Sequence, residues 1–390
     1  MGRIVLKLLL AAVILFGSMY GVALAGEQPT TPVAEENREP AKIKSGSGVL
    51  GLVKDVNRAI KAQSMPPQTK EVLGYYAEDW EGDDRSLKSV KNNEKTVTAV
   101  ATFSFQMDRE GNVKGKAPRE ALNASAKSVI KTLALIHNWA GQGFSRDAVH
   151  NVLTNEKAQD NAIKNIIRLI VDNGYNGVNI DFENVAPADR EALSAFMTRL
   201  SRALKEKNLL VTMSVPAKTE DNVKHGWSGA FDYAALGKTV DQLLIMSYDE
   251  HWFGGPAGPV ASLAWVEQVV RYTVSQVPKE KVLMGIGVYG YVWDTASGKT
   301  TRAIPASGAL AKIIQTGATV KWDAQANVPY YYYWQDGRKH VVWFESNQSA
   351  ALKLNLVKQY GLGGIAVWRL GFEADGFWSM VKEKLATSVE

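Results

Sequence analysis

From residue 71 onward the chain alternates between two hydrophobic rhythms. In one, apolar residues come at every second position or in short unbroken runs, the mark of strands. That rhythm predicts strands over 72–77, 96–105, 132–139, 177–183, 209–215, 242–248, 282–288 and 364–368. In the other, apolar residues recur at spacings of three and four, the mark of a helix with one buried face. Stretches 159–173, 189–207, 264–275 and 349–359 have it, as in Ile163, Ile166, Ile167 and Ile170. Parallel strands joined by helices close, when there are eight, into a (β/α)8 barrel. A doubly wound open sheet is the alternative that strand counting leaves standing.

Two stretches change this picture. The first is Tyr175-Asn176-Gly177-Val178-Asn179-Ile180-Asp181-Phe182-Glu183, a strand with two chemically different faces. Val178, Ile180 and Phe182 point one way; Asn179, Asp181 and Glu183 point the other. A polar row on a strand flanked by helices is costly unless it is hydrogen-bonded or used for chemistry. At the C-terminal end of a barrel strand such residues line an active site. The second stretch, 294–345, interrupts the rhythm between strands seven and eight. It holds a helical run (307–315) and two β-like runs (329–334, 339–344) joined through Gln335-Asp336-Gly337-Arg338, an Asp-Gly hairpin signal. The expected fold is therefore a (β/α)8 barrel with a small α+β insertion between strands seven and eight.

The stretch ending at Glu183 resembles the active-site signature of family 18 glycoside hydrolases. Family members usually carry Asp where this chain has Asn176 and Asn179; Asp181 and Glu183 match. The resemblance runs from about residue 73 to the C-terminus. Met246-Ser247-Tyr248-Asp249, at the end of the sixth strand, resembles the family's Met-x-Tyr-Asp element. Trp368, in Gly363-Gly364-Ile365-Ala366-Val367-Trp368-Arg369, matches the tryptophan that floors the central sugar site. The run 330–333 resembles the α+β insertion that forms one wall of the substrate groove, although most of its tyrosines are expected simply to pack.

The resemblance implies retaining cleavage of β-linked N-acetylglucosamine bonds, with the substrate's own acetamido oxygen attacking the anomeric carbon. Glu183 would be the general acid and then the base. Asp181 would hold the acetamido N–H and help keep Glu183 protonated. Tyr248 would donate to the acetamido carbonyl and Asp249 would contact the sugar; Met246 and Asn179, beside these motif residues, and Tyr75 and Asn138, by their place at strand ends, are further candidates for substrate contact. Asn179 is expected to orient Asp181 by a donated hydrogen bond, without taking up a proton. Spore cortical-fragment-lytic members look similar in carrying Asn there, which favours peptidoglycan over chitin. The rival from another class is a lectin-like glycan-binding relative, against which the retained Glu183 speaks. Tyr76, Trp80, His137, Trp139, Trp252 and Trp293 are secondary candidates for further sugar subsites.

Composition narrows the rest. Hydrophobic residues make up 46% of the chain, enough for a large core. With no cysteine, disulfides, zinc–thiolate sites, iron–sulfur clusters and cysteine nucleophiles are excluded. Five scattered histidines make a metal at Asp249-Glu250-His251 unexpected, and no cofactor is implied. Gly285-x-Gly287-x-x-Gly290 fits the dinucleotide pattern but opens no helix, so its glycines read as tight strand packing.

Residues 1–25 read as a secretory signal: Arg3 and Lys7, an apolar run over 8–20, and Ala23-Leu24-Ala25 before Gly26. An uncleaved membrane anchor is the alternative. Residues 26–70 are expected to be a linker with a short helical segment over 49–62, and residues 71–390 the catalytic domain. Removing the leader, which holds two of the +5 charges and no acid, leaves +3, too little to argue for nucleic acid. The expected partner is a polysaccharide at the cell wall or outside the cell, with no stable protein partner implied.

Overall fold

The structure, a computed structural model, describes residues 70–141 and 143–386. The leader and residues 26–69 lie outside the described residues. Eight parallel strands form the barrel: β1 (Glu71–Tyr76), β2 (Ala99–Met107), β4 (Lys131–His137), β5 (Gly177–Asp181), β6 (Leu210–Pro216), β7 (Gln242–Met246), β8 (Val282–Gly287) and β14 (Gly364–Trp368). The last strand pairs with the first, and β1 pairs with β2, so the sheet closes. Closure rules out the open doubly wound sheet. A short β3 (Val113–Gly115) folds back antiparallel on the end of β2.

The period-two faces divide the core in two. Alanine and leucine side chains, none of them branched at Cβ, fill the cylinder together with Tyr75: Leu73, Ala99, Ala101, Leu133, Leu135, Leu244, Leu283 and Ala366. Val178, Ile180 and Phe182 of the β5 stretch face outward into the larger core beneath the helices. There α4 (Glu156–Asn173) buries Ile163, Ile166 and Ile170, and Phe182 stacks on Phe196 of α5 (Arg190–Lys205). The remaining barrel helices are α1 (Arg85–Asn92), α2 (Arg119–Lys127), α3 (Arg146–Thr154), α6 (Tyr233–Thr239), α7 (Leu263–Gln276), α9 (Asn347–Gln359) and α10 (Phe377–Leu385). Local chemistry starts several of them. Ser145, Asn155, Asp232 and Ser262 each accept a hydrogen bond from a backbone N–H in the first turn, and Ser346 forms a capping box with Ser349.

The insertion is a five-stranded antiparallel sheet of β9 (Tyr289–Asp294), β10 (Thr300–Pro305), β11 (Lys321–Asp323), β12 (Val328–Gln335) and β13 (Arg338–Phe344), in the order β10-β9-β13-β12-β11. Helix α8 (Ala306–Thr316) covers one face, over Tyr331, Tyr333, Val342 and Phe344. The hairpin forms at Asp336-Gly337, both residues at positive φ, as that dipeptide prescribes. The insertion begins at Tyr289 rather than Asp294. Only Val288 separates β8 from β9, and no turn residue marks the change of sheet.

Candidate active site

Strand rise sets the depth of each polar residue on β5. Asn179 lies deepest and is fully buried, Asp181 is 4% exposed, and Glu183 is half-buried at the mouth. The Asn179 amide donates to Thr212 Oγ1 (2.9 Å) and accepts from Ser214 Oγ (2.9 Å), which in turn bonds the Tyr75 hydroxyl (2.9 Å). This ladder ties β5 to β6 and β1. Two expectations are thereby corrected. The hydrogen bond Asn179 donates goes to Thr212 rather than Asp181, whose Oδ1 is buried without a hydrogen-bond partner among the described residues. Neither Asn179 nor the buried Tyr75 presents itself to a sugar; the Tyr75 ring braces Trp368 edge-on at 5.3 Å. Asn176 lies in the bend just before β5, its Oδ1 accepting from the Thr132 N–H (2.8 Å).

Asn138 has a different place from the expected one. It is 1% exposed, and its amide clamps the peptide of the acid itself. Oδ1 accepts from the Glu183 N–H (2.9 Å), while Nδ2 donates to the Glu183 carbonyl (2.9 Å) and to the Ser145 carbonyl (3.1 Å). The chain then turns at Asn184, held by Arg146 through its carbonyl (3.1 Å) and its Oδ1 (2.8 Å). His137, beside it, stacks on Phe103 at 4.2 Å and accepts from the Trp139 N–H through Nδ1 (3.1 Å). Burial pushes its imidazole down to about 4, so it is neutral at pH 7.

Burial pushes Glu183 well above the usual carboxylate range, and the neighbouring Asp181 and Asp249 charges push it the same way. Burial also raises Asp181. Two carboxyls so close cannot both ionise freely and titrate as a pair. The arrangement can hold a proton near neutral pH and deliver it at the mouth.

The end of β7 supplies Met246, half-buried, then Tyr248 and Asp249. Room for Tyr248 comes from β8: a Cβ on Gly285 would stand 3.0 Å from its ring, and one on Gly287 3.2 Å from its Cβ. Asp249 takes the left-handed backbone (φ 62°). Its Oδ1 accepts from the hydroxyls of Tyr289 (2.5 Å) and Tyr291 (2.9 Å), while its flank stays open to the mouth. Burial raises this carboxyl, and the two hydroxyls oppose the rise. Sequence reasoning missed Tyr289 and Tyr291. The signal lay in the alternation Tyr289-Gly290-Tyr291-Val292-Trp293, whose odd positions share one strand face.

Trp368 ends β14 with its indole half-buried, edge-on to Tyr75 and Phe103 (5.6 Å). Arg369 behind it is buried and pairs with Asp79, which also receives Arg85 (2.6 Å). Among the secondary candidates, Trp293 is fully buried and donates to the Gly255 carbonyl (3.0 Å), so it packs between the insertion and the β7 loop instead of lining the mouth. Tyr76 is buried and donates to Glu78 (2.7 Å). Trp80 (39% exposed, under the Arg85 guanidinium), Trp139 and Trp252 (54% exposed) keep open surface. No cluster of metal-ligating side chains occurs among the described residues.

A closed parallel barrel that gathers two neighbouring carboxyls, a tyrosine and a half-open indole at its C-terminal mouth defines a barrel glycosidase. The chain belongs to glycosyl hydrolases family 18, whose description matches residues 71–373, and it is a glycoside hydrolase. It is 34% identical to the uncharacterized glycosylase YvbX of Bacillus subtilis over 77% of this chain and 89% of that protein. Among solved structures, a chitinase from Chromobacterium violaceum superposes with a TM-score of 0.75 at 35% identity, over 82% of this chain and 99% of that one. The spore cortex-lytic enzyme SleL of Bacillus cereus superposes with a TM-score of 0.77 at 28% identity, over 82% and 75%.

Proposed function

We propose that this enzyme is exported and hydrolyses β-linked N-acetylglucosamine bonds in peptidoglycan, with retention of configuration and with the substrate's acetamido group as the nucleophile. The observation that carries the reading is the pair on one interior strand face. Glu183 holds its proton through burial and its acidic neighbours, and Asp181 presents an unpartnered oxygen beside it. Glu183 protonates the leaving oxygen, and the glycosidic bond breaks as the acetamido oxygen closes on the anomeric carbon. Asp181 takes the acetamido N–H. Tyr248 donates to the acetamido group, and Trp368 stacks under the sugar. Glu183, now ionised, removes a proton from the water that opens the ring intermediate.

The likeness to a spore cortex-lytic enzyme supports peptidoglycan, and the leader-like residues 1–25 support export. The chitinase likeness at higher identity supports a second reading, cleavage of chitin or its oligomers by the same chemistry. Mass spectrometry of products from purified peptidoglycan and from chitin decides between them, with the anomer first released read by NMR. Glu183→Gln is expected to abolish turnover while sparing binding. Binding by the wild type with no glycan cut would transfer the chain to the lectin-like reading.

A further inference from the structure

The second face of the insertion is covered only in part: Tyr291, Trp293 and Val341 are buried on it, and its outer end toward the hairpin is open. Residues directly opposite in an antiparallel ladder share a face, so its register can be followed outward from the active site. Tyr291, whose hydroxyl holds Asp249, lies opposite Trp343, and Trp343 lies opposite Tyr330. The Trp343 and Tyr330 rings stack at 4.4 Å, and Tyr330 meets Tyr332 edge-on at 5.9 Å. Beyond them Trp334 stands opposite Lys339 at the hairpin tip. At two residues per row, the face runs about 13 Å along β12 from Tyr330 to Trp334.

Its outer end has a composition that strand formation alone does not require. On the α8 side of β12, Tyr331 and Tyr333 are buried; on this side Tyr332 is 38% and Trp334 69% exposed. Lys339 and Lys321 hold their ammonium groups 4.7 Å and 5.5 Å from the Tyr332 ring. Neither lysine pairs with a carboxylate among the described residues. Exposed aromatic planes offer surface for the C–H faces of sugars, and unpaired ammonium groups beside them select anions. Chitin carries no carboxylate; a peptidoglycan strand carries the carboxylates of its stem peptides, or a free lactyl carboxylate where the peptide has been removed.

We infer that Tyr332 and Trp334, with Lys321 and Lys339, form a second glycan-holding platform that takes a carboxylate-bearing peptidoglycan strand running out of the active site. The choice of strand rests on the peptidoglycan reading above; the platform itself rests on the exposed outer end of that face.

The test uses the full chain carrying Glu183→Gln, sedimented with insoluble peptidoglycan freed of teichoic acid and, separately, with chitin. Tyr332→Ala/Trp334→Ala and Lys321→Glu/Lys339→Glu are added as two separate pairs. Each pair is expected to weaken retention on peptidoglycan at least about fivefold, and the charge reversal to leave retention on chitin unchanged. Retention of peptidoglycan unchanged in both pairs overturns the platform. Loss in the aromatic pair alone overturns its assignment to an anionic strand. Turnover of a short chromogenic N-acetylglucosamine oligomer, with Glu183 restored, reports that the barrel mouth is intact. A wild type that cuts peptidoglycan while both pairs retain it fully refutes the platform and keeps the proposed function. A wild type that cuts no glycan while retention still depends on the lysines does the reverse.

Discussion

Asn138→Ala removes three hydrogen bonds at once, two of them to the peptide of Glu183. The site is 1% exposed, so water does not replace them freely. Leaving a buried N–H and carbonyl unmade costs roughly 1–3 kcal/mol each, and partial relaxation puts the stability loss at about 2–4 kcal/mol. The catalytic loss has a separate origin. Nothing else hydrogen-bonds the Glu183 N–H among the described residues, so the acid's carboxyl is free to drift by a fraction of an ångström to an ångström. Misplacement of about 1 Å costs on the order of 100-fold in rate. Asn138→Ala should therefore lower kcat about 100-fold on a short chromogenic oligomer while KM stays nearly constant, in protein that thermal unfolding shows still folded at the assay temperature. Asn138→Asp keeps the acceptor for the Glu183 N–H and loses both donated bonds. It should fall between alanine and wild type, with the basic limb of its pH profile moved upward by the added charge near Glu183. The reasoning fails if Asn138→Ala loses stability as calculated but keeps kcat within about threefold of wild type. Asn138 would then hold the loop and not the acid.

Two further outcomes follow from the same geometry. Asp249 is one of the two charges that raise Glu183, and a raised acid keeps its proton to higher pH. Asp249→Asn removes that charge and still suits the left-handed backbone, so Glu183 should lose its proton at lower pH. The basic limb of the kcat profile should move down; a limb that stays or moves up contradicts the assignment. Trp368→Ala should raise KM about 5–30-fold on oligomers, from about 1–2 kcal/mol of lost sugar stacking, as measured by steady-state kinetics. An unchanged KM would mean the indole only packs against Tyr75 and Phe103.

Much of this molecule was written in its local pattern. A period of two placed Val178, Ile180 and Phe182 against the helices and Asn179, Asp181 and Glu183 inside, because successive strand side chains must point to opposite faces. The eight strand positions and the Asp336-Gly337 hairpin were legible for the same reason: each depends on a residue and its near neighbours. Closure and depth were not. Asn179 meets Thr212 and Ser214 because β6 is its barrel neighbour, and Asn138 reaches Glu183 across 45 residues of sequence. Tyr289 and Tyr291 find Asp249 only because the chain leaves β8 for a second sheet without a turn residue to announce it. Sequence thus decided which residues face inward. Which inward residues touch one another, and which are left at the mouth with a proton to give, was decided by strands distant in the chain being brought within hydrogen-bonding reach when the cylinder closed.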